Sequence, residues 1–331
     1  KASDDGTYFE PTRLTVGKWI DIWLMEYVKP SCKPLTFSTY KSRIDTHIRS
    51  ALGKIKLTSL NATHIQTFYN DLLRVKQLQP KTIKNVHGIL HKALEQALKL
   101  RYIGINPADA CTLPRIEKKE ISPLSEKEIA AFLGAIQENE PLKNLFTVAL
   151  FTGLREGEIC GLSWESVNFH DGTITVKQQL CKEKVKGGQH YIAATKNDKS
   201  RVLTVAPFVM DILRAVHREQ MQNHLTCGLA WQNEYNLVFT DRSGHFIVPQ
   251  TALKRFKAVA NTIGRPDARF HDLRHTYAVT ALQEGDDVKT VQQNLGHATA
   301  SFTLDVYGHV SEKMKRESAA RMQSYFEKIN A

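Results

Sequence analysis

Thr152-Gly153-Leu154-Arg155-Glu156-Gly157-Glu158-Ile159 sets one arginine between two glycines, with a carboxylate three residues beyond it. Glycines on both sides let the backbone and the guanidinium come close to a bulky ligand. Glu158 is spaced to hold Arg155. The same residues also suit a plain surface turn with a salt bridge, so their meaning depends on the rest of the chain. Further on, His271-Asp272-Leu273-Arg274-His275 has helical spacing. His271 and Arg274 then share one side, and Leu273 turns to the core. Such a pair can donate several hydrogen bonds to one phosphate, or form a partly buried polar pair.

Two more stretches follow, Asn294-Leu295-Gly296-His297-Ala298 and Leu304-Asp305-Val306-Tyr307-Gly308-His309. A single His or Tyr in such a setting is usually structural. In this order and at these separations, however, the four stretches resemble the signature of the tyrosine recombinases, the phage-integrase family. Thr152 to Glu158 matches its first box. His271 and Arg274 match its His-x-x-Arg box. Leu295 to His297 matches its leu-gly-His stretch, with the tyrosine nucleophile following at Tyr307. The family also carries a lysine in a β-turn between the first two boxes. Lys196 suits that place, in Ala194-Thr195-Lys196-Asn197-Asp198-Lys199-Ser200-Arg201, and Lys199 competes with it.

The resemblance implies a catalytic set of Arg155, Lys196, His271, Arg274, His297 and Tyr307, with Glu158 in support. It implies a mainly α fold with a small antiparallel β-sheet: a helical core-binding domain ahead of an α+β catalytic domain. The activity implied is cutting and rejoining of DNA through a covalent 3′-phosphotyrosine, with no cofactor, metal or ATP. Implied partners are double-stranded attachment sites and three further copies in a DNA-bound homo-tetramer. The residues leave open whether an excisionase or a DNA-bending protein takes part. Two other readings stay on the table: a type IB topoisomerase-like relaxing enzyme, and a DNA-binding regulator without catalysis.

The residue types suit that chemistry. A phosphodiester is a poor electrophile because its anionic oxygens repel nucleophiles. Fixed cations aimed at those oxygens in the five-coordinate transition state are the main lever. Arginine supplies a planar fork that stays charged. A phenol of pKa about 10 needs nearby positive charge or a base before it can attack.

Composition agrees with a polyanionic partner. The 331 residues hold 45 Lys and Arg against 34 Asp and Glu, a formal +11. The excess is uneven. Residues 1–115 hold 18 basic and 9 acidic side chains, and residues 116–331 hold 27 and 25. No apolar run approaches the roughly 18–20 residues of a membrane span. The five cysteines, Cys32, Cys111, Cys160, Cys181 and Cys227, form no Cys-x-x-Cys pair. That argues against a disulfide framework or a four-thiolate zinc site and for the cytoplasm. The start at Lys1 resembles loss of the family's amino-terminal arm-binding domain.

A helical pattern closes at Ile105-Asn106-Pro107 and the stretch after it is poor in large apolar residues, so the chain is read as residues 1–112, a linker at 113–121, a second domain at 122–310 and, past Tyr307, a tail at 311–331. In the first domain, Val16, Trp19, Ile20, Trp23 and Leu24 form one apolar face. A second helix runs from Thr36 to Leu52 and stops at Gly53. A third, Thr63 to Val75, buries Ile65, Phe68, Leu72 and Val75. Pro80 opens a long helix with Ile83, Val86, Leu90, Leu94 and Leu98 as its stripe. Its other side carries Lys81, Lys84, His91 and Lys92. With Lys41 and Arg43, Lys81 and Lys84 are the DNA-contact candidates, against the alternative of a plain bundle with solvated lysines.

In the second domain, Ser125 and Glu128 form a capping box ahead of a helix over Glu126–Ile136. Leu142–Phe151 is helical. Thr173–Gln179, Gln189–Ala193 and Ser200–Val205 read as three strands of one small sheet. Leu237-Val238-Phe239 is strand-like. The His87/His91 pair and the His217, His224, Cys227 group have loose metal-ligand spacing without a further ligand. In the tail, Met314, Met322, Phe326 and Ile329 give one apolar face, suited to packing at home or on a neighbouring protomer.

Overall fold

The computed structural model describes residues 13–117, 122–137, 139–183, 188–195, 200–296 and 312–329. The chain divides into two compact units. The first reaches Lys119 and takes in Glu183–Gly188, and the second comprises the rest from Glu120.

The first unit is helical. Helix α1 (Val16–Ile22) passes into a π-helical stretch, Trp23–Val28, and α2 (Pro34–Arg43) reaches α3 (Arg49–Leu52) through another, Ile44–Ile48. Helices α4 (Ala62–Arg74) and α5 (Pro80–Lys99) follow. The starts are chemically marked. Thr15 accepts the Lys18 N–H at 3.3 Å, Asn61 accepts the His64 N–H at 3.0 Å, and Pro80 stands where no N–H is needed. The expected stripes are buried, and the Trp19 indole N–H donates to the Ala93 carbonyl at 2.8 Å inside the core.

Three details differ from the sequence reading. Val75 is exposed, because α4 ends at Arg74 and the chain turns through Gln77 at φ 50°. Leu98 is half-buried rather than buried. Gly53 closes its helix in a right-handed conformation, and its carbonyl accepts the Gly17 N–H at 3.0 Å. Its part there is close approach of two backbones, not a left-handed stop.

The second unit opens with α6 (Glu126–Gln137), α7 (Lys143–Thr152) and α8 (Glu156–Cys160). Ser125 and Glu128 exchange hydrogen bonds ahead of α6, as the capping box requires. Strands β1 (Val167–Asn168), β2 (Thr173–Val176), β3 (Gln178–Lys182), β4 (His190–Ala194) and β5 (Arg201–Thr204) are all antiparallel. They form two small sheets, β1-β2-β5 and β3-β4, instead of the single sheet expected. The chain leaves the first sheet at Lys177, makes the β3-β4 hairpin, and returns as β5 beside β2. Leu237-Val238-Phe239 is buried but belongs to no strand; Leu237 makes a lone bridge to Ser163.

Helices α9 (Pro207–Cys227), α10 (Pro249–Thr262), α11 (Phe270–Gln283), α12 (Val288–Leu295) and α13 (Glu312–Ile329) complete the unit. Four phenylalanines join its helices. Phe132 of α6, Phe146 of α7, Phe256 of α10 and Phe270 of α11 meet with ring centroids 5.7 to 6.2 Å apart. All four rings are buried. This hub brings the end of α7 beside the start of α11, which is where the first and second sequence boxes lie.

Candidate active site

Helix α7 ends in Gly153, whose φ of +64° is left-handed and suits glycine. A Cβ there would lie 2.6 Å from the Tyr277 ring and 2.7 Å from Leu295. Gly153 therefore serves the fold, by letting α11 and α12 close on the turn. Two residues later Arg155 caps the start of α8. Glu158, in the first turn of α8, accepts the Arg155 backbone N–H at 3.0 Å and the Arg155 Nη1 at 2.7 Å.

Glu158 also accepts from a second guanidinium. Arg201 of β5 donates Nη1 to Oε1 at 3.0 Å and Nη2 to Oε2 at 2.7 Å. The Glu158 side chain is only 2% exposed. Burial alone would raise its pKa, but the Arg201 fork and Arg155 hold the carboxyl down at about 2. Its neighbour Glu156 has no such partner among the described residues, and burial pushes it up to about 6.

The third arginine is Arg274 on the first turns of α11, with 2% of its surface exposed. It donates Nη1 to the Gly153 carbonyl at 2.8 Å and Nη2 to the Leu295 carbonyl. Arg155 donates Nη2 to the Gly296 carbonyl at 3.3 Å, and Arg201 donates Nε to the Asn294 carbonyl at 2.8 Å. Three consecutive carbonyls at the end of α12 thus each meet a different arginine. The last carbonyls of a helix have no partner within it, and the helix dipole makes that end negative. Three guanidinium groups meet both demands. Gly296 follows at φ +62°, and a Cβ there would sit 3.0 Å from Arg201 Cδ.

His271 stands one turn before Arg274 and stays exposed at the edge of this cluster. Lost solvation and the charges of Arg274, Arg155 and Arg269 lower its pKa below the ordinary histidine value, with Asp272 opposing. These influences favour the neutral ring. It meets the buried His275 edge to face at 4.8 Å. Burial and then His271 bring His275 down to about 4. Asp272 accepts the Arg269 N–H at 2.8 Å and its Nη2 at 2.8 Å, which fixes the start of α11. Thr276 accepts the Leu124 N–H at 2.9 Å, tying α11 to the approach to α6.

Of the residues singled out in the sequence, Arg155, Glu158, His271 and Arg274 come together. Lys196, Lys199, His297 and Tyr307 lie outside the described residues. Lys196 directly follows the described Thr195, and His297 directly follows the described Gly296. Arg201 was not singled out, yet a signal for it existed. In β5, Leu203 is buried and Val202 exposed, so alternation puts Arg201 on the inner face beside Leu203. An inward arginine requires a carboxylate.

The first-unit candidates differ among themselves. Lys81 and Lys84 are exposed on the first turns of α5. Lys41 pairs with Asp45 at 2.8 Å. Arg43 is half-buried, and its Nη1 is buried without a hydrogen-bond partner among the described residues. The histidines with metal-like spacing are engaged otherwise. His87 meets the Tyr69 hydroxyl at 3.0 Å, and His91 meets Asp109 at 2.7 Å. His217 and His224 pack on Trp164 and Trp231. No helix among the described residues is long and apolar enough to cross a membrane.

Known proteins resemble the chain along most of its length. Residues 123–314 match the model of the phage integrase family, and residues 15–73 match the phage integrase N-terminal SAM-like domain. A tyrosine recombinase XerC-like protein of Caldanaerobacter subterraneus subsp. tengcongensis is 31% identical, over 95% of this chain and 84% of its own. The ICEBs1 integrase of Bacillus subtilis is 23% identical over 88% and 78%. Among solved structures, the Tn1549 transposon integrase in complex with a circular intermediate DNA superposes with a TM-score of 0.79. It is 20% identical, over 93% of this chain and 99% of that one. A lambda integrase tetramer bound to a Holliday junction gives 0.67 at 18% identity, over 94% and 83%.

Proposed function

The chain belongs to the phage integrase family and is a site-specific DNA recombinase of the tyrosine type; from that premise we propose how its residues share the reaction. Arg155 and Arg274 hold the non-bridging oxygens of one scissile phosphate, with His271 and His297 as further donors. Tyr307 is the nucleophile. Its oxygen bonds to phosphorus as the bond to the 5′ oxygen breaks, which leaves a 3′-phosphotyrosine. The phenolic proton passes to neutral His271, and Lys196 protonates the departing 5′ oxygen. The covalent link retains the phosphodiester energy, so a different 5′-hydroxyl can reseal the strand without ATP.

The observation that carries this reading is the gathering of Arg155 and Arg274 around the end of α12, with His271 near enough to feel both charges. The leu-gly-His stretch starts there, and Tyr307 follows it in the sequence. The Arg155 side chain keeps 35% of its surface exposed, so it can face a ligand while Glu158 orients it. Loss of one such donor costs about 2.7–4 kcal/mol of transition-state stabilisation.

Residues 1–112 act as a clamp on the DNA backbone, with Lys41, Arg43, Lys81 and Lys84 as contacts. A linker at 113–121 leads to the catalytic domain at 122–310. The tail helix α13 docks on a neighbouring copy in a tetramer. Its support is a stripe of Met322, Tyr325, Phe326 and Ile329, each 59 to 66% exposed. The cytoplasm, on the nucleoid, is the compartment that suits such an enzyme. The relaxing-enzyme alternative is not favoured, since the relatives bear the names of integrases and tyrosine recombinases.

The test is incubation with a nicked duplex spanning the end of the genetic element that encodes the chain, followed by a denaturing gel. A covalent protein–DNA adduct is expected, and Tyr307→Phe abolishes it. An adduct formed equally well by that variant overturns the assignment.

A further inference from the structure

The relation of Arg201 to the two other arginines goes beyond the roles given above. Its fork fills one side of the Glu158 carboxylate, and Arg155 Nη1 takes Oε1 from the other. Glu158 is therefore a shared anchor, oriented by Arg201 and in turn orienting Arg155. Arg201 also donates Nε to the Asn294 carbonyl. That bond lies one residue before the Leu295 carbonyl held by Arg274 and two before the Gly296 carbonyl held by Arg155. Gly296 leaves room for the Arg201 side chain to lie against this corner. With its side chain 12% exposed, Arg201 is walled in by these partners. Its three guanidinium nitrogens are all engaged within the protein, two by Glu158 and one by the Asn294 carbonyl.

We propose that Arg201 is a positioning residue for strand cleavage: it aims Arg155 through Glu158 and sets the Asn294–Gly296 corner from which His297 follows. The inference rests on Arg155 being a catalytic residue. Lysine cannot replace it, since one ammonium group cannot donate a parallel pair to Glu158 and also reach a carbonyl on the other side. A misplacement of about 1 Å in a catalytic group lowers a rate by up to roughly 100-fold.

The experiment uses the full chain and the nicked duplex described above, with adduct formation followed in single turnover over a range of DNA concentrations. Wild type, Arg155→Lys, Arg201→Lys, Arg201→Gln, Glu158→Gln and Arg201→Lys/Glu158→Gln are compared. The expected result for Arg201→Lys is a maximal rate lowered roughly 10- to 100-fold, at a half-saturating DNA concentration within about twofold of wild type. Because the effect passes through Glu158, the double variant should be no slower than the slower single variant. Unchanged cleavage in Arg201→Lys and Arg201→Gln overturns the inference, and so do multiplicative losses in the double variant. Loss of folding in both Arg201 variants overturns it too, because Arg201 would then serve the fold rather than the site. If Arg155→Lys itself cleaves normally, it is the catalytic reading that fails. Slow Arg155→Lys with normal Arg201 variants removes this inference alone.

Discussion

Replacing Glu158 with glutamine tests the centre of the arginine cluster directly. The side chain keeps its size and loses its charge. In the native chain the buried carboxylate accepts four hydrogen bonds, two from Arg155 and two from Arg201. A carboxyl held at about 2 in place of 4.5 corresponds to about 3 kcal/mol of stability at neutral pH. Removing one partner of a buried ion pair costs about 3–5 kcal/mol, because the remaining charge is left uncompensated. Both routes give a loss of about 3 kcal/mol or more at pH 7.

The pH dependence follows from the same group. Its folded pKa lies below its unfolded one, so its stabilisation is complete above about 4.5 and is lost as the pH falls toward 2. The gap between wild type and Glu158→Gln therefore narrows in acid, by about 0.8 kcal/mol at pH 4. Urea unfolding followed by circular dichroism at pH 7, 5 and 4 measures it. A gap below about 1 kcal/mol at pH 7 would refute the reasoning, as would a gap that widens in acid.

Truncating the aromatic hub, Phe146→Ala, should cost about 3–5 kcal/mol in the same unfolding assay, whereas a loss under 1 kcal/mol would mean that the hub does not hold α7 to α11. Lys81→Ala and Lys84→Ala should each weaken binding to duplex DNA and reduce the slope of log affinity against log salt by about 1; filter-binding titrations at several salt concentrations would show an unchanged slope if neither lysine meets a phosphate. His271 titrates below its ordinary value of 6.5 because of lost solvation and the nearby arginines. Single-turnover cleavage should therefore be flat above pH 6.5 and fall below it as the ring takes up a proton, and a fall that begins above pH 7 would exclude neutral His271 as the acceptor.

Much of the fold was legible because it depends on local spacing. The stripes of α1 and α5 and the capping box at Ser125 are periodic or pairwise features within a few residues. What was not legible depends on partners far along the chain. Val75 continues the apolar spacing of α4, but the helix ends before it. One strand expected over Thr173–Gln179 divides at Lys177, because β2 and β3 pair with different neighbours. At the site, the Arg155–Glu158 bond was legible as a short-range pair. Gly153 was expected to admit a ligand, and it admits Tyr277 and Leu295 instead. The two carbonyls that Arg274 meets lie 121 and 21 residues away in the chain. Arg201 lies 43 residues from Glu158 and shares no motif with it.

The four phenylalanines have a consequence for how such an enzyme diversifies. Each ring belongs to a long helix, and none comes from the β3-β4 hairpin, the turn after α9 or the first unit. The registration of α7 against α11 is therefore insulated from changes of length in those connections and from drift of the surface that meets DNA. A lineage can exchange the sequence it reads while the spacing of its cleavage groups is inherited intact.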